Sequence, residues 1–282
     1  MRKGKIHIFL LLPFWVYYIL FFFIPLGILL TYSFWLTTAR GLVPTFTLEN
    51  YWAIFSKKLY LIIILRSIRI AFIAAIICVV VSYPVAYSLT FKYKKMQDFV
   101  LYLILISLFS SYLVRIYAWK TILGRQGLIN QILQYIGLTK EPLSFLLYSP
   151  TAVIITLVFI FVPFTILPIF SSLQNVKPEL IEAAKDLGAN NFEAFYKVTL
   201  PLSMSGVVTG FIFSFILSAG DYVTPQLVGG TTGMMIGKII ADQFGMRYNW
   251  PFGSALSYFT LFLLALLVYC LIWILKILKL RR

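Results

Sequence analysis

The sequence predicts an all-α integral membrane protein with six membrane-spanning helices. Three observations predict it. Of the 282 residues, 61% are hydrophobic and only 12% charged, against about 45–50% apolar and about 25% charged in soluble domains. Six apolar runs are each long enough to cross a bilayer, which takes about 20 residues. Twenty of the 24 basic residues lie outside those runs. So apolar a chain has too little polar surface to cover a soluble globule, and the same content excludes intrinsic disorder. Two cysteines make no disulfide framework. The net charge of +15 would point to nucleic acid in a soluble protein. Here it is assigned to span flanks and topology, and no nucleic-acid partner is expected.

The spans fall at about 7–30, 61–90, 99–122, 151–173, 203–226 and 255–275. The first follows Arg2, Lys3 and Lys5, as a signal peptide would. Its apolar run is longer than an h-region of about 7–15 residues, and no small-residue cleavage site follows, so it is expected to stay as a helix. His7 stands alone at its edge. The second span carries Arg66 and Arg69 near one end, which must snorkel or face protein. Cys78 and Cys270 fall inside the second and sixth spans and read as buried, apolar-like thiols.

Orientation follows from the bases. With the N-terminus inside, the cytoplasmic segments hold thirteen of them: Arg2, Lys3, Lys5, Lys92, Lys94, Lys95, Lys177, Lys185, Lys197, Lys276, Lys279, Arg281 and Arg282. The outer segments hold Arg40, Lys57, Lys58, Arg125, Lys140, Lys238 and Arg247. The positive-inside rule therefore places both termini of this multi-pass protein in the cytoplasm.

The chain carries no chemical engine of its own. A phosphate-binding loop needs G-x-x-x-x-G-K-[ST]; around Gly237-Lys238 the first glycine is Thr232 and the hydroxyl position is Ile239. One histidine and two separated cysteines form no zinc constellation. No catalytic or metal-binding residue and no cofactor of this chain is expected.

The nine acids are unevenly spread: Glu179, Glu182, Asp186 and Glu193 all lie in the cytoplasmic loop 174–201. Residues 178–188 read as a short helix, with Pro178 at its first position and Gly188 at its left-handed end. Leu180, Ala183, Ala184 and Leu187 recur at i, i+3, i+4 and i+7, forming one apolar stripe. Asn190 or Asn191 can cap a second short helix, 192–199, which Pro201 is expected to terminate.

The run Glu182-Ala183-Ala184, Gly188 after three further residues, Val198 after nine more, and then Leu200-Pro201 resembles the EAA signature of permease subunits of binding-protein-dependent ABC importers. Val198 stands where that family's pattern has isoleucine. The segments 113–120 (LVRIYAWK), 220–230 (GDYVTPQLVGG) and 249–254 (NWPFGS) extend the likeness to most of the chain, and it most resembles the spermidine/putrescine branch. Related permeases for iron or phosphonate share the loop. The resemblance implies a type I importer (MetI-like) fold and a bacterial inner-membrane location. It makes the loop an ATPase-coupling helix, with Glu182, Ala183, Ala184, Leu187, Gly188, Leu200 and Pro201 as its residues. ATP and Mg²⁺ would then be bound by a separate ABC ATPase dimer. A second, similar but distinct permease and an extracytoplasmic substrate-binding protein complete the assembly. The chain divides accordingly into 1–60, a first helix with its outer loop, and 61–282, a five-helix permease core.

Asp221, near the outer end of the fifth span, is an acid in a costly place, and Gly220 and Pro225 flank it as helix interruptions. A polyamine, a chain of ammonium groups, suits a carboxylate and aromatic faces. Candidates for its path are Asp221 and Tyr222, with Trp119, Tyr117, Trp250 and Arg115. The alternative is that Asp221 pairs with Arg115 and locks two helices. A stand-alone secondary transporter would need a relay of intramembrane acids or histidines, and only Asp221 qualifies.

Overall fold

The computed structural model describes residues 12–39 and 41–280, with side chains to 277. His7 and the terminal bases lie outside those residues, as does Arg40. The first helix, α1 (Leu12–Tyr32), is 21 residues long and apolar all round. A two-stranded antiparallel hairpin follows, β1 (Leu36–Thr38) with β2 (Gly41–Val43), pairing Leu36 with Val43. Next comes the short α2 (Glu49–Ser56). Helix α3 (Lys58–Tyr87) continues through a wide turn to Lys92, 35 residues in all. At about 1.5 Å per residue it exceeds the ~30 Å hydrocarbon core. Arg66 there faces protein, its Nη1 donating to the Thr231 carbonyl at 3.1 Å, while Arg69 is exposed.

The third span is not the continuous helix expected over 99–122. It is broken into Lys94–Phe109 and Tyr112–Tyr135, bent by 94°. Within these lie α4 (Gln97–Phe109), α5 (Tyr112–Leu123) and α6 (Leu128–Tyr135). The cause is local. Ser110 and Ser111 take extended backbone, with ψ 144° and 129°. The hydroxyls of Ser107 and Ser110 donate to the carbonyls of Ile104 and Ser107, at 2.7 and 2.8 Å. The Ser107 carbonyl, which a continuing helix would have bonded to the Ser111 N–H, is taken instead by the Ser110 hydroxyl.

Helix α7 (Pro150–Gln174) begins with Pro150 behind a Ser149 cap, whose Oγ accepts from the Ala152 N–H at 3.1 Å. It is the most buried of the spans. Ile70, Ala74 and Cys78 of α3, Ile116 and Leu123 of α5, and Val153, Leu157 and Ile160 of α7 form one core cluster. Cys78 is buried as expected, but Cys270 is exposed.

After α7 come α8 (Pro178–Asp186), α9 (Asn191–Ala194) and α10 (Leu200–Gly220). Pro201 does not end a short helix: residues 191–220 form one continuous 30-residue helix. Proline lacks an N–H, and the strain is absorbed one turn earlier, where the Leu200 N–H reaches back five residues to the Phe195 carbonyl. The same device precedes Pro25, where the Ile24 N–H bonds the Ile19 carbonyl. At its other end the fifth span stops at Gly220, short of the expected 226. Helix α11 (Ile236–Gly245) and α12 (Trp250–Leu280) complete the chain.

Helices α7 and α10 lie closest together. A Cβ on Gly206 would collide with the Pro168 carbonyl and the Ser172 side chain, and Ser172 and Ser205 hydroxyls meet at 3.1 Å. In lipid such small-residue contacts replace the hydrophobic drive to associate. Gly206→Val is expected to lower stability by about 1–3 kcal/mol through overpacking, read as a lower melting temperature of the detergent-solubilised protein. An unchanged melt would contradict the close approach.

The chain forms two compact units, Ile63–Lys238 and the remainder, which joins the residues up to Ile62 to those from Ile239 on. The last helix groups with the N-terminal part. Within that unit the Tyr258 hydroxyl donates to the Leu26 carbonyl at 2.6 Å, and Phe55 meets Phe259 edge-on at 5.2 Å.

Candidate functional site

Two places in the Ile63–Lys238 unit combine chemistry with incomplete local satisfaction. The first is the loop after α7. Helix α8 ends as its glycine predicts: Gly188 sits at φ +91°, the Gly188 N–H bonds the Lys185 carbonyl at 2.8 Å, and the Ala189 N–H bonds the Ala184 carbonyl at 3.0 Å. Only glycine takes that conformation cheaply. Asn190, not Asn191, caps α9 in a reciprocal box with Glu193: the Glu193 N–H donates to Asn190 Oδ1 at 2.9 Å, and the Asn190 N–H to Glu193 Oε2 at 3.1 Å. Lys197 closes on Glu193 at 3.0 Å.

These bonds hold a short helix whose apolar stripe is uncovered. Leu187 is 90% exposed, and Leu180 and Ala183 are exposed beside it, with Ala184 half-buried. Glu182 is exposed on the same helix. Leu200 and Pro201 are half-buried within the long helix, where they shape the junction. Phe192 and Tyr196 were not singled out by sequence reasoning. They lie exposed with their rings parallel, centroids 6.5 Å apart. Their i, i+4 spacing was the available signal. A leucine and two aromatics left open on a rigidly capped loop are what a docking surface supplies.

The second place is the break after α10. Gly220 ends the helix and Asp221 is extended, at ψ 132°. Asp221 is only 7% exposed. Its Oδ1 accepts from the Val223 and Thr224 N–H groups at 2.9 and 3.3 Å, while its Oδ2 is buried without a partner. The segment that follows packs back into the same unit: Val228 and Met235 are fully buried, and the Ile236 N–H donates to the Ser67 hydroxyl of α3 at 2.7 Å. Non-helical backbone at this depth is tolerated only when buried in protein or lining a cavity.

No ion pair joins Asp221 to Arg115. The Arg115 Nε is itself buried and unpartnered. Tyr112 of α5 neighbours both of them. Its hydroxyl lies 3.3 Å from Thr224 Oγ1, and its ring centroid is 6.0 Å from the Arg115 guanidinium carbon. Tyr112 and Thr224 were missed in the sequence, where nothing marks them among so many aromatics and hydroxyls. Arg115 and Trp119 also line an apolar cavity of about 560 Å³ between α3, α4, α5 and α7, with Trp119 edge-on to Phe159 at 5.3 Å. Tyr222 is exposed. Tyr117 is exposed with the Lys120 ammonium 5.9 Å from its ring centroid. Trp250 belongs to the other unit, against Tyr32 and Phe244 at 6.3 and 6.0 Å.

A carboxylate with one free oxygen, at the carbonyl end of a helix whose dipole is negative there, favours a cation. A buried carboxylate with no ion-pair partner is costly, which makes Asp221 a candidate functional position.

Residues 6–282 match the family described as binding-protein-dependent transport system inner membrane component. The chain is 36% identical over 223 residues to the spermidine/putrescine transport system permease protein PotB of Haemophilus influenzae, covering 79% of this chain and 77% of that one. It is 34% identical over 240 residues to PotB of Escherichia coli, covering 85% and 86%. A bacterial alginate ABC transporter, solved in complex with an alginate pentasaccharide-bound periplasmic protein, contains a chain that superposes with a TM-score of 0.74 at 15% identity, covering 95% and 93%.

Proposed function

Because the chain belongs to the family of binding-protein-dependent transport inner membrane components, we propose that it is one permease subunit of an ABC importer for polyamines such as spermidine and putrescine. The observation that carries the polyamine reading is Asp221, a buried carboxylate with a free oxygen at a helix break, in a chain whose relatives are named for that transport. An ammonium group supplies what Oδ2 lacks. Tyr112 and Thr224 would hold the carboxylate in place.

ATP and Mg²⁺ are bound by partner ATPases, and the α8 loop docks on them through Leu187, Phe192 and Tyr196. Closure of the ATPases draws the two permeases' loops together and switches the path between inward and outward access. The coupling requires that each state bind its partners with different affinity. Both termini lie in the cytoplasm, supported by the basic-residue count. A second permease forms the other half of the path, and a binding protein delivers the solute from outside.

The test is reconstitution of this chain with the ATPase, second permease and binding protein of its system in proteoliposomes. ATP-dependent accumulation of labelled spermidine is expected, together with co-purification of the ATPase. A stable complex that hydrolyses ATP but accumulates neither spermidine nor putrescine would overturn the polyamine assignment. Failure of any ATPase to co-purify would overturn the importer assignment.

A further inference from the structure

We infer that a polar cleft in the unit formed by the residues up to Ile62 and from Ile239 on receives an acidic side chain of the extracytoplasmic binding protein. This rests on the importer reading above. With both termini in the cytoplasm, as proposed above, the segments that build the cleft, between α1 and α3 and between α10 and α12, face the extracytoplasmic side.

The cleft has a volume of about 390 Å³, room for roughly a dozen waters at about 30 Å³ each, so it admits a side chain with part of its loop. Its hydrogen-bonding groups do not balance. Gln243 lines it at 2% exposure, and its Nε2 is buried with no partner. Asn249 spends its Oδ1 on the Thr37 hydroxyl at 2.9 Å and the Phe252 N–H at 3.2 Å, which leaves its NH₂ as a donor. Arg247 and Lys57 line the cleft, both exposed, and no ion pair among the described residues engages either. The one buried side-chain atom left unmet in the lining is a donor, Gln243 Nε2, and a buried donor left unmet costs free energy until an acceptor arrives.

The backbone agrees. Tyr248, between Arg247 and Asn249, is held at φ +50°, uncommon for an aromatic residue. The turn is fastened by the Arg247 N–H to the Asp242 carbonyl and the Asn249 N–H to the Gln243 carbonyl, both at 2.9 Å.

The charge selects the acceptor. Glu49 also lines the cleft, so two cations face one acid. That balance suits a single carboxylate, while Glu49 repels a more highly charged phosphate. A planar carboxylate also offers two oxygens to the two amide donors and the guanidinium. A protein side chain therefore fits better than a lipid headgroup.

The experiment uses the complete transporter in nanodiscs of phosphatidylcholine, and in parallel of phosphatidylcholine with phosphatidylglycerol, titrated with its binding protein. Arg247→Glu and Lys57→Glu change exposed side chains and leave the fold intact. Each is expected to weaken binding-protein affinity about tenfold or more, equally in both lipids, and to flatten its salt dependence. Gln243→Leu is expected to weaken affinity without lowering the melting temperature, since it removes an unsatisfied buried amide. A lysine introduced for the contacting acid of the binding protein should partly restore affinity to Arg247→Glu. Unchanged affinity in both charge reversals, with a wild-type complex whose ATPase responds to the binding protein, overturns this inference alone. An effect confined to the phosphatidylglycerol discs overturns it in favour of a headgroup site. A wild-type complex whose ATPase ignores the binding protein overturns the importer reading and this inference with it.

Discussion

Leu187→Asp is expected to abolish solute uptake while leaving the protein folded and inserted. At 90% exposure the side chain contributes almost nothing to this chain's own packing. A charge there costs the isolated permease nothing, but it places an unpaired carboxylate in a dry contact once a partner covers the stripe. Central contacts of this kind cost about 2–4 kcal/mol when lost, roughly a 30- to 1000-fold loss of affinity at 1.4 kcal/mol per decade. Gly188→Asp attacks the same surface through the backbone: φ +91° is strained for any residue with a Cβ, so the end of α8 must move. Glu182→Lys changes only an exposed charge and tests electrostatic fit. The measurement is co-purification of the ATPase with each variant, alongside uptake. Normal uptake by Leu187→Asp and Gly188→Asp would remove the coupling role from this loop.

Asp221→Asn is expected to lower polyamine uptake roughly 10- to 100-fold, the equivalent of a charge-assisted hydrogen bond of about 1.5–3 kcal/mol. Asparagine keeps the side-chain oxygen that accepts from Val223 and Thr224, so the helix break survives and only the charge is lost. Asp221→Ala removes the cap as well and should also lower the melting temperature, by the equivalent of about 1 kcal/mol. The comparison separates the two roles. If the asparagine variant transports at the wild-type rate while the alanine variant is destabilised, Asp221 is a cap and no more.

The legible features share one property: each is decided within a few residues of itself. Gly188 ends α8 because a left-handed residue must close the Schellman pattern there, and Asn190 caps α9 because Glu193 stands three residues on. Gly220 reads as an interruption, and the helix stops there, six residues short of the expected end of the span. Where expectation failed, two local effects competed. Pro201 looked like a terminator because proline lacks an N–H, yet a wide turn at 195–199 absorbs the loss and the helix runs on. Ser110 and Ser111 have no expected role within the apolar run, yet the Ser110 hydroxyl takes the Ser107 carbonyl and the helix breaks there with a 94° bend. Phe192 and Tyr196 were hidden by abundance, two aromatics among many.

The sequence by itself determined the membrane class, the apolar runs long enough to span, the gathering of acids in one loop and the glycine end of its short helix. These follow from run length, charge position and backbone hydrogen bonding, all set by near neighbours in the chain. Only the tertiary structure decided that Asp221 keeps one oxygen free, that Tyr112 neighbours both it and Arg115, and that Gln243 is left with an unmet donor in a cleft lined by Arg247 and Lys57. Whether a polar atom is satisfied depends on which distant residue packs against it, and spacing along the chain does not encode that distance.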